Sequence, residues 1–237
     1  AMSAVMSRAR ERRVNQGIFI SGMTGSGKSR MAELLAKPWR RVVFIDPTRS
    51  FEDVDLRAST LAEASEFLKT RWLNKPFRLA VSFHDEDDYP RFFAAFARLA
   101  VGTFGRADNV LLVMDEVDMW SSPRKVEKSV SYLLRYGRHF GVCWIAVCRA
   151  DVQTHRDVRM NATEIVVFRQ GMLSPELKQM IQDAGIVRGE SLTMPARLKK
   201  WNHSGDASEG EHYVALPEPF GDWRPTWEGL AKVREGH

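Results

Sequence analysis

Eight consecutive residues carry the most specific chemistry in this sequence: Gly22-Met23-Thr24-Gly25-Ser26-Gly27-Lys28-Ser29. They satisfy G-x-x-x-x-G-K-[ST] at every defined position, the pattern of a loop whose backbone N–H groups cradle phosphates. Glycines supply the positive φ angles such a loop needs, and they let its backbone approach an anion with no Cβ in the way. Lys28 is placed to reach the β- and γ-phosphates of a nucleotide, and the Ser29 hydroxyl to ligate Mg²⁺. The nucleotide-contacting stretch runs from Gly22 to Arg30. A second feature lies where the apolar run Val110-Leu111-Leu112-Val113-Met114 ends in Asp115-Glu116. The end of a buried strand is where a Mg²⁺-coordinating Asp belongs, and an adjacent Glu can polarise a water for attack on a γ-phosphate. That pairing favours hydrolysis over transfer to a small acceptor. Asp118, two residues on, is within reach of the same metal shell.

These residues need strands to carry them and a helix behind the loop. Ile18-Phe19-Ile20 reads as a buried strand, and Arg30 to Ala36 has apolar residues at helical spacing. Such a strand, turn and helix N-terminus aim several N–H groups at one point, where the helix dipole also favours an anion. Arg41 to Asp46 and Phe77 to Phe83 are further strands. Residues 48 to 58 read as irregular, and Thr60 caps an amphipathic helix to about Trp72. The acidic turn His84 to Asp88 opens a helix from about Tyr89 to Phe104, which its carboxylates suit. A helix from about Val126 to Tyr136 follows a polar loop. Gly141 to Cys148 and Glu164 to Phe168 are the last strands of this series. Strands alternating with helices give an α/β fold with a mainly parallel, doubly wound sheet.

The expected organisation is a basic arm over residues 1–14, an ATPase core over 15–170 and a loop-rich extension over 171–237. The extension packs on the core or on a neighbour. Within it, Ser174 caps a short helix to about Ala184, and Glu211 to Leu216 is one strand. The chain has 237 residues, of which 44% are hydrophobic and 27% charged, as in ordinary globular proteins. No apolar run reaches the roughly 18 residues that span a bilayer, so no transmembrane segment is expected. Cys143 and Cys148 sit in one apolar run and read as buried, reduced thiols, which points to a reducing cytoplasm. The net charge of +5 suits a polyanionic partner. It is clustered at Arg8 to Arg13, at Arg40 and Arg41, at Arg124, Lys125 and Lys128, at Arg156 and Arg159, and at Lys199 and Lys200. Each cluster alone also reads as a solvated face.

A catalytic Glu beside the metal Asp, with strands intervening after the phosphate loop, resembles the additional-strand ATPases that include RecA-like motors. The stretches GMTGSGKS, VVFIDPTRSFE, NVLLVMDEVDMW and RYGRHFGVCWIAVCRADVQTHRDVRMNATEIVVFR resemble, in that order, the HerA/FtsK superfamily of DNA-pumping ATPases. Small viral genome-packaging ATPases are the nearest match in size. The resemblance covers about residues 15–170. It implies ATP and Mg²⁺ as cofactors, Lys28 and Ser29 on phosphate and metal, Asp115 on the metal and Glu116 as base. It also implies a homo-oligomeric ring, pentamer or hexamer, in which an arginine finger reaches a neighbour's nucleotide. Arg138 is the first candidate finger, Arg135 the alternative, and Arg159 or Arg169 a weaker one. Where the family usually ends a strand in Gln or Asn, this chain has Cys148, so the sensor role falls to Arg149 or lies elsewhere. Double-stranded DNA is the implied partner. Trp120, Arg124, Lys125 and Lys128 form the preferred gripping element, with Arg149, His155 and Arg156 second. A portal or membrane vertex protein is the implied dock, and the host cytoplasm or a virion vertex the implied location. A related ATPase acting on protein partners or on single-stranded DNA is the other reading.

Overall fold

Continuous apolar runs become the middle of a parallel sheet. The structure is a computed structural model that describes residues 17–22, 24–73, 75–103, 105–168, 175, 198–202 and 211–215. In it, β1 (Gly17–Ser21), β2 (Arg41–Ile45), β5 (Val110–Met114) and β8 (Val142–Cys148) are buried along their whole length. Strands covered on both faces have no reason to alternate polar with apolar residues, which is why these four read as unbroken hydrophobic runs. Around them lie β3 (Leu56–Ala58), β4 (Phe77–Val81) and β9 (Glu164–Phe168). Two further strands, β10 (Leu198–Asn202) and β11 (Glu211–Ala215), belong to the region beyond residue 170. The sheet order is β10-β11-β9-β1-β8-β5-β2-β4-β3. All neighbours from β9 to β3 run parallel, while β10 and β11 are antiparallel to each other, and β11 to β9.

One feature of this order matters for chemistry. β8 lies between β1, which leads into the phosphate loop, and β5, which ends in Asp115. The strand that separates the two motifs in space therefore follows both in sequence. Parallel registers such as Ser21↔Cys148 and Ile45↔Met114 bring the carboxyl ends of β1, β8, β5 and β2 to one edge.

Helices cover the sheet unequally. One face is packed by α1 (Lys28–Ala36) through Met31, Ala32, Leu35 and Ala36, against Ile18, Phe44, Val113 and Ile145. Phe51 completes that face, its ring stacked on Phe44 at 4.6 Å. The other face carries α2 (Leu61–Arg71), α3 (Asp88–Gly102) and α4 (Lys128–Tyr136). α3 buries Tyr89, Phe92, Phe93, Phe96, Ala97 and Ala100, a stripe at i, i+3, i+4 and i+7. Each buried Phe contributes about 1.5–3 kcal/mol by leaving water. α2 begins with a capping box, Thr60 Oγ1 accepting from the Glu63 N–H at 3.3 Å while the Glu63 carboxylate accepts from the Thr60 N–H.

The structure corrects several expectations. Residues 48–58 are not irregular throughout, because Leu56–Ala58 pairs with β4 as an edge strand. α4 starts at Lys128 rather than Val126, since the Glu127 carboxylate caps the Val130 N–H at 2.8 Å. Val126 instead closes a small hairpin, β6 (Ser121–Ser122) with β7 (Lys125–Val126). A short helix, α5 (Arg156–Met160), follows β8. The extension contributes two strands to the sheet where one was expected. The basic arm and, but for Pro175, the helix expected from Ser174 to Ala184 lie outside the described residues. Cys143 and Cys148 point to opposite faces of β8, and no disulfide joins them. Among the described residues, no helix is long and apolar enough to cross a membrane.

Arg41 also leaves the solvated basic cluster in which its sequence neighbour Arg40 remains. Its guanidinium is buried, donates to the carbonyls of Asp108 and Trp72, and lies 4.7 Å from the Trp72 ring centroid. Burial pulls its pKa down to about 10, so it stays charged at neutral pH. Arg41→Ala strands two carbonyls and opens a gap between α2 and β2; urea denaturation is expected to show a loss of about 2–3 kcal/mol.

Candidate nucleotide-binding site

The phosphate loop has the backbone that its glycines make possible. Gly25 and Gly27 take φ of 77° and 92°, and Gly27 forms the N-cap of α1 with no side-chain cap. A helix N-terminus without a side-chain cap, preceded by such a loop, favours an anion. At Gly22 the constraint is space: a Cβ there would sit 2.4 Å from Phe168 Cβ and 2.9 Å from Ser26 Oγ. Met23 lies outside the described residues. Thr24 and Gly25 are exposed at the tip of the loop, and Ser26 is buried beneath it. Arg30 points away along α1, pairing with Glu33 at 2.8 Å. Lys28 is largely buried, which pushes its pKa down, while Glu116, Asp115 and Asp118 oppose that shift.

Asp115 and Glu116 occupy the carboxyl end of β5, as the apolar run implied, and face Lys28 and Ser29. Asp115 Oδ2 accepts from Ser29 Oγ at 3.4 Å, from Ser50 Oγ at 2.9 Å and from Thr48 Oγ1 at 3.4 Å. Its other oxygen accepts the Glu116 N–H at 3.2 Å. Burial raises the Asp115 pKa, with the Ser50 hydrogen bond opposing and nearby Asp46 reinforcing the rise. This donor set is all oxygen, and one carboxylate beside one hydroxyl next to a phosphate cradle fits Mg²⁺, a hard cation that shares its shell with substrate phosphates. Among the described residues no cluster of three or more His, Cys, Asp or Glu side chains could hold a metal alone. Such a Mg²⁺ needs none.

Glu116 has a left-handed backbone, φ 53°, where the chain turns from β5 into the 3₁₀ segment Val117–Met119. Residues other than glycine adopt this region uncommonly, and such positions persist where the surrounding structure over-determines them and cluster at functional sites. Its carboxylate pairs with Arg149 Nε at 2.9 Å, and Arg149 Nη2 lies 3.4 Å from Asp118. Burial raises the Glu116 pKa, Asp118 adds to the rise and Arg149 opposes it. A carboxylate raised toward neutrality is suited to accept a proton. Cys148, by contrast, is buried and its pKa pushed well up, first by that burial and then by Asp118 and Asp151. It remains a neutral thiol. Arg149 is the residue of this pair that enters the site, and with Thr24, Asp118, Ala150 and Gln153 it lines an open cavity of about 480 Å³ beside the loop.

The two leading candidates for a finger, Arg138 and Arg135, lie at the opposite edge of the sheet. Arg138 and Arg135 line a cavity of about 220 Å³ with Gly17, Val142 and Thr163, at the amino ends of β1, β8 and β9. Five residues of strand, about 16 Å, separate that edge from the phosphate loop of the same chain. Arg138 is exposed and contacts His139, whereas Arg135 is paired with Asp157. Arg159 is buried and donates to the carbonyls of Asp151 and Thr154, so it braces its own loop rather than reaching outward. Arg169 lies outside the described residues.

The basic residues after β5 gather on one side. Arg124 and Lys125 are exposed in the β6–β7 hairpin and Lys128 at the start of α4. The His155 N–H donates to Ser121 Oγ at 2.9 Å, which brings exposed Arg156 beside the hairpin. Trp120 is withdrawn from this set. Its ring packs against Tyr89 at 5.2 Å and Phe93 at 5.3 Å and anchors the hairpin on α3. Ser50, Thr48 and Asp46 were not anticipated; their link to Asp115 spans more than sixty residues of sequence.

Because burial raises the Asp115 pKa, its ionised form weakens the empty fold at neutral pH, a cost absent once pH falls below the range of free carboxylates. Asp115→Asn removes that charge. Calorimetry is expected to show unfolding about 2–4 °C higher without nucleotide, and a Mg²⁺-nucleotide titration to show weakened binding.

No protein-family profile matches this sequence, and no curated protein matches it. Solved structures do. The genome packaging NTPase B204 from Sulfolobus turreted icosahedral virus 2 in complex with AMPPCP aligns with a TM-score of 0.53 and 17% identity, over 71% of this chain and 81% of that one. Its complex with ATP-gammaS gives a TM-score of 0.53 and 16% identity over the same shares. With β8 between the phosphate-loop strand and the strand of Asp115, the chain has the fold of a RecA-like P-loop ATPase.

Proposed function

We propose that this chain is an ATP-hydrolysing motor that translocates double-stranded DNA as a homo-oligomeric ring, packaging a viral genome into a capsid. The observation that carries the reading is Glu116 beside Asp115, at the same sheet edge as the phosphate loop and held in a left-handed turn. Lys28 and the N-terminal turn of α1 bind and orient the triphosphate. Ser29 and Asp115 hold Mg²⁺, which when bound neutralises charge on the phosphates. Glu116 takes the proton of the attacking water. Arg149, paired with it, is the polar group at the end of β8 that governs when Glu116 is available.

Hydrolysis depends on assembly in this reading. Arg138 sits at the amino edge of the sheet and is exposed, so the site it serves is a neighbour's. Arg124, Lys125, Lys128 and Arg156 contact DNA phosphates, which makes binding independent of sequence and sensitive to salt. The likeness to a structure described as a genome packaging NTPase supports a genome as the substrate. Residues 15–170 form the motor core. The extension packs on that core through the β10–β11 pair. A portal or vertex protein is the dock.

ATPase activity measured with and without duplex DNA over a salt series is expected to show several-fold stimulation that fades as salt rises. Activity that ignores duplex DNA at every salt concentration would sink the translocase reading and favour a protein or single-stranded substrate. Arg124→Ala and Lys125→Ala should each lower the salt slope of DNA binding by about one. Glu116→Gln should keep nucleotide binding while turnover falls about a hundredfold or more. Arg138→Ala should assemble as wild type, as read by light scattering, yet lose about a thousandfold in turnover; unchanged turnover would place the finger elsewhere.

A further inference from the structure

The loop after β2 is built to present two hydroxyls to one carboxylate. Asp46, fully buried at the end of β2, accepts the Ser50 N–H at 2.8 Å on one oxygen. Its other oxygen accepts the Phe51 N–H at 3.2 Å and Arg57 Nη1 at 2.5 Å. Arg57 also donates to Ser82 Oγ at 2.9 Å and to the Phe51 carbonyl, and Ser82 Oγ donates to the Asp46 carbonyl at 2.6 Å. Arg49 turns the chain back with a left-handed φ of 58°. The Phe51 ring, stacked on Phe44, holds the far end.

This brace fixes Ser50 Oγ 2.9 Å from Asp115 Oδ2, with Thr48 Oγ1 3.4 Å from the same oxygen and 3.2 Å from Ser50 Oγ. Ser50 Oγ also lies 3.2 Å from Asp46, but a hydroxyl has one proton to give. Asp46 already receives two N–H groups and a guanidinium. The Ser50 proton therefore goes to Asp115, whose Oδ2 has hydroxyls alone as donors. Ser50 and Thr48 remain exposed, so the network serves the space over Asp115 rather than the core.

We infer that Ser50, with Thr48, is a positioning residue of the divalent-cation site, orienting the Asp115 oxygen that ligates the ion. The inference rests on the proposed reading of Ser29 and Asp115 as the Mg²⁺ ligands. Groups that orient a metal ligand from behind typically contribute about tenfold or more to metal affinity. A loop that only packed would affect stability and nucleotide binding alike, with or without metal.

The test is a Mg²⁺ titration of the full chain with a fluorescent ADP analogue, paired with the same nucleotide in chelator. Ser50→Ala should raise the Mg²⁺ midpoint about tenfold while metal-free nucleotide affinity stays within about twofold of wild type. Ser50→Thr, which keeps the hydroxyl, should stay within about threefold in both measurements. Three results would overturn the inference: an unchanged midpoint in Ser50→Ala, an equal loss of metal-free binding, or a Thr variant as impaired as the Ala variant. If Mg²⁺ fails to tighten nucleotide binding in the wild type, it is the proposed ion site that fails.

Discussion

A carboxylate with little access to water dominates the carboxyl edge of this sheet. Asp115 must be ionised to hold the cation proposed for it, yet its surroundings favour the neutral form. Three hydroxyls and one backbone N–H compensate it, and they come from α1, from the loop after β2 and from its own turn. That requirement links elements far apart in sequence. α1 must dock so that Ser29 arrives, and β2 must pair with β5 so that the braced loop arrives. Lys28 needs the same arrangement for the opposite reason, because a buried ammonium is tolerable only among carboxylates. Each charge makes the other's burial possible. A bound ion and triphosphate would complete a balance that the protein leaves half made.

The two edges of the sheet have different work. The carboxyl edge collects the phosphate loop, the strand-end carboxylates and Arg149. The amino edge carries Arg138 and the paired Arg135, out of reach of their own loop. The β6–β7 hairpin is tied on one side to α3 through Trp120 and on the other to the segment after β8 through Ser121 and His155. The segment that begins with Arg149 is therefore bonded to the basic hairpin within one chain, which gives a short physical route from the hairpin to Glu116.

Much of the site could be read from the chain because covalent geometry forces it. A loop needing positive φ at Gly25 and Gly27 must use glycines, and strands buried on both faces must be apolar until they end in something functional. Other features depend on contacts that no local pattern encodes. β3 is three residues of mixed burial, and only pairing with β4 makes it a strand. Arg40 and Arg41 look alike in sequence; which one turns inward is decided by rings at Trp72 and Phe77. Trp120, among basic residues, suggests a stacking platform, but two aromatic rings of α3 claim it first. The Asp46, Arg57 and Ser50 brace was hidden because its partners meet only after β2, β4 and β5 have aligned.

The left-handed turn at Glu116 carries an evolutionary reading. Glycine or asparagine would occupy that backbone with less strain, and neither can accept a proton as a carboxylate does. Under the proposed function, an easier residue left unused here is stability given up for chemistry. A redesign guided by stability alone would rank the replacement of Glu116 among its first gains. On the proposed reading of Glu116 as the base, the result would be a sturdier protein that holds its nucleotide and no longer turns it over.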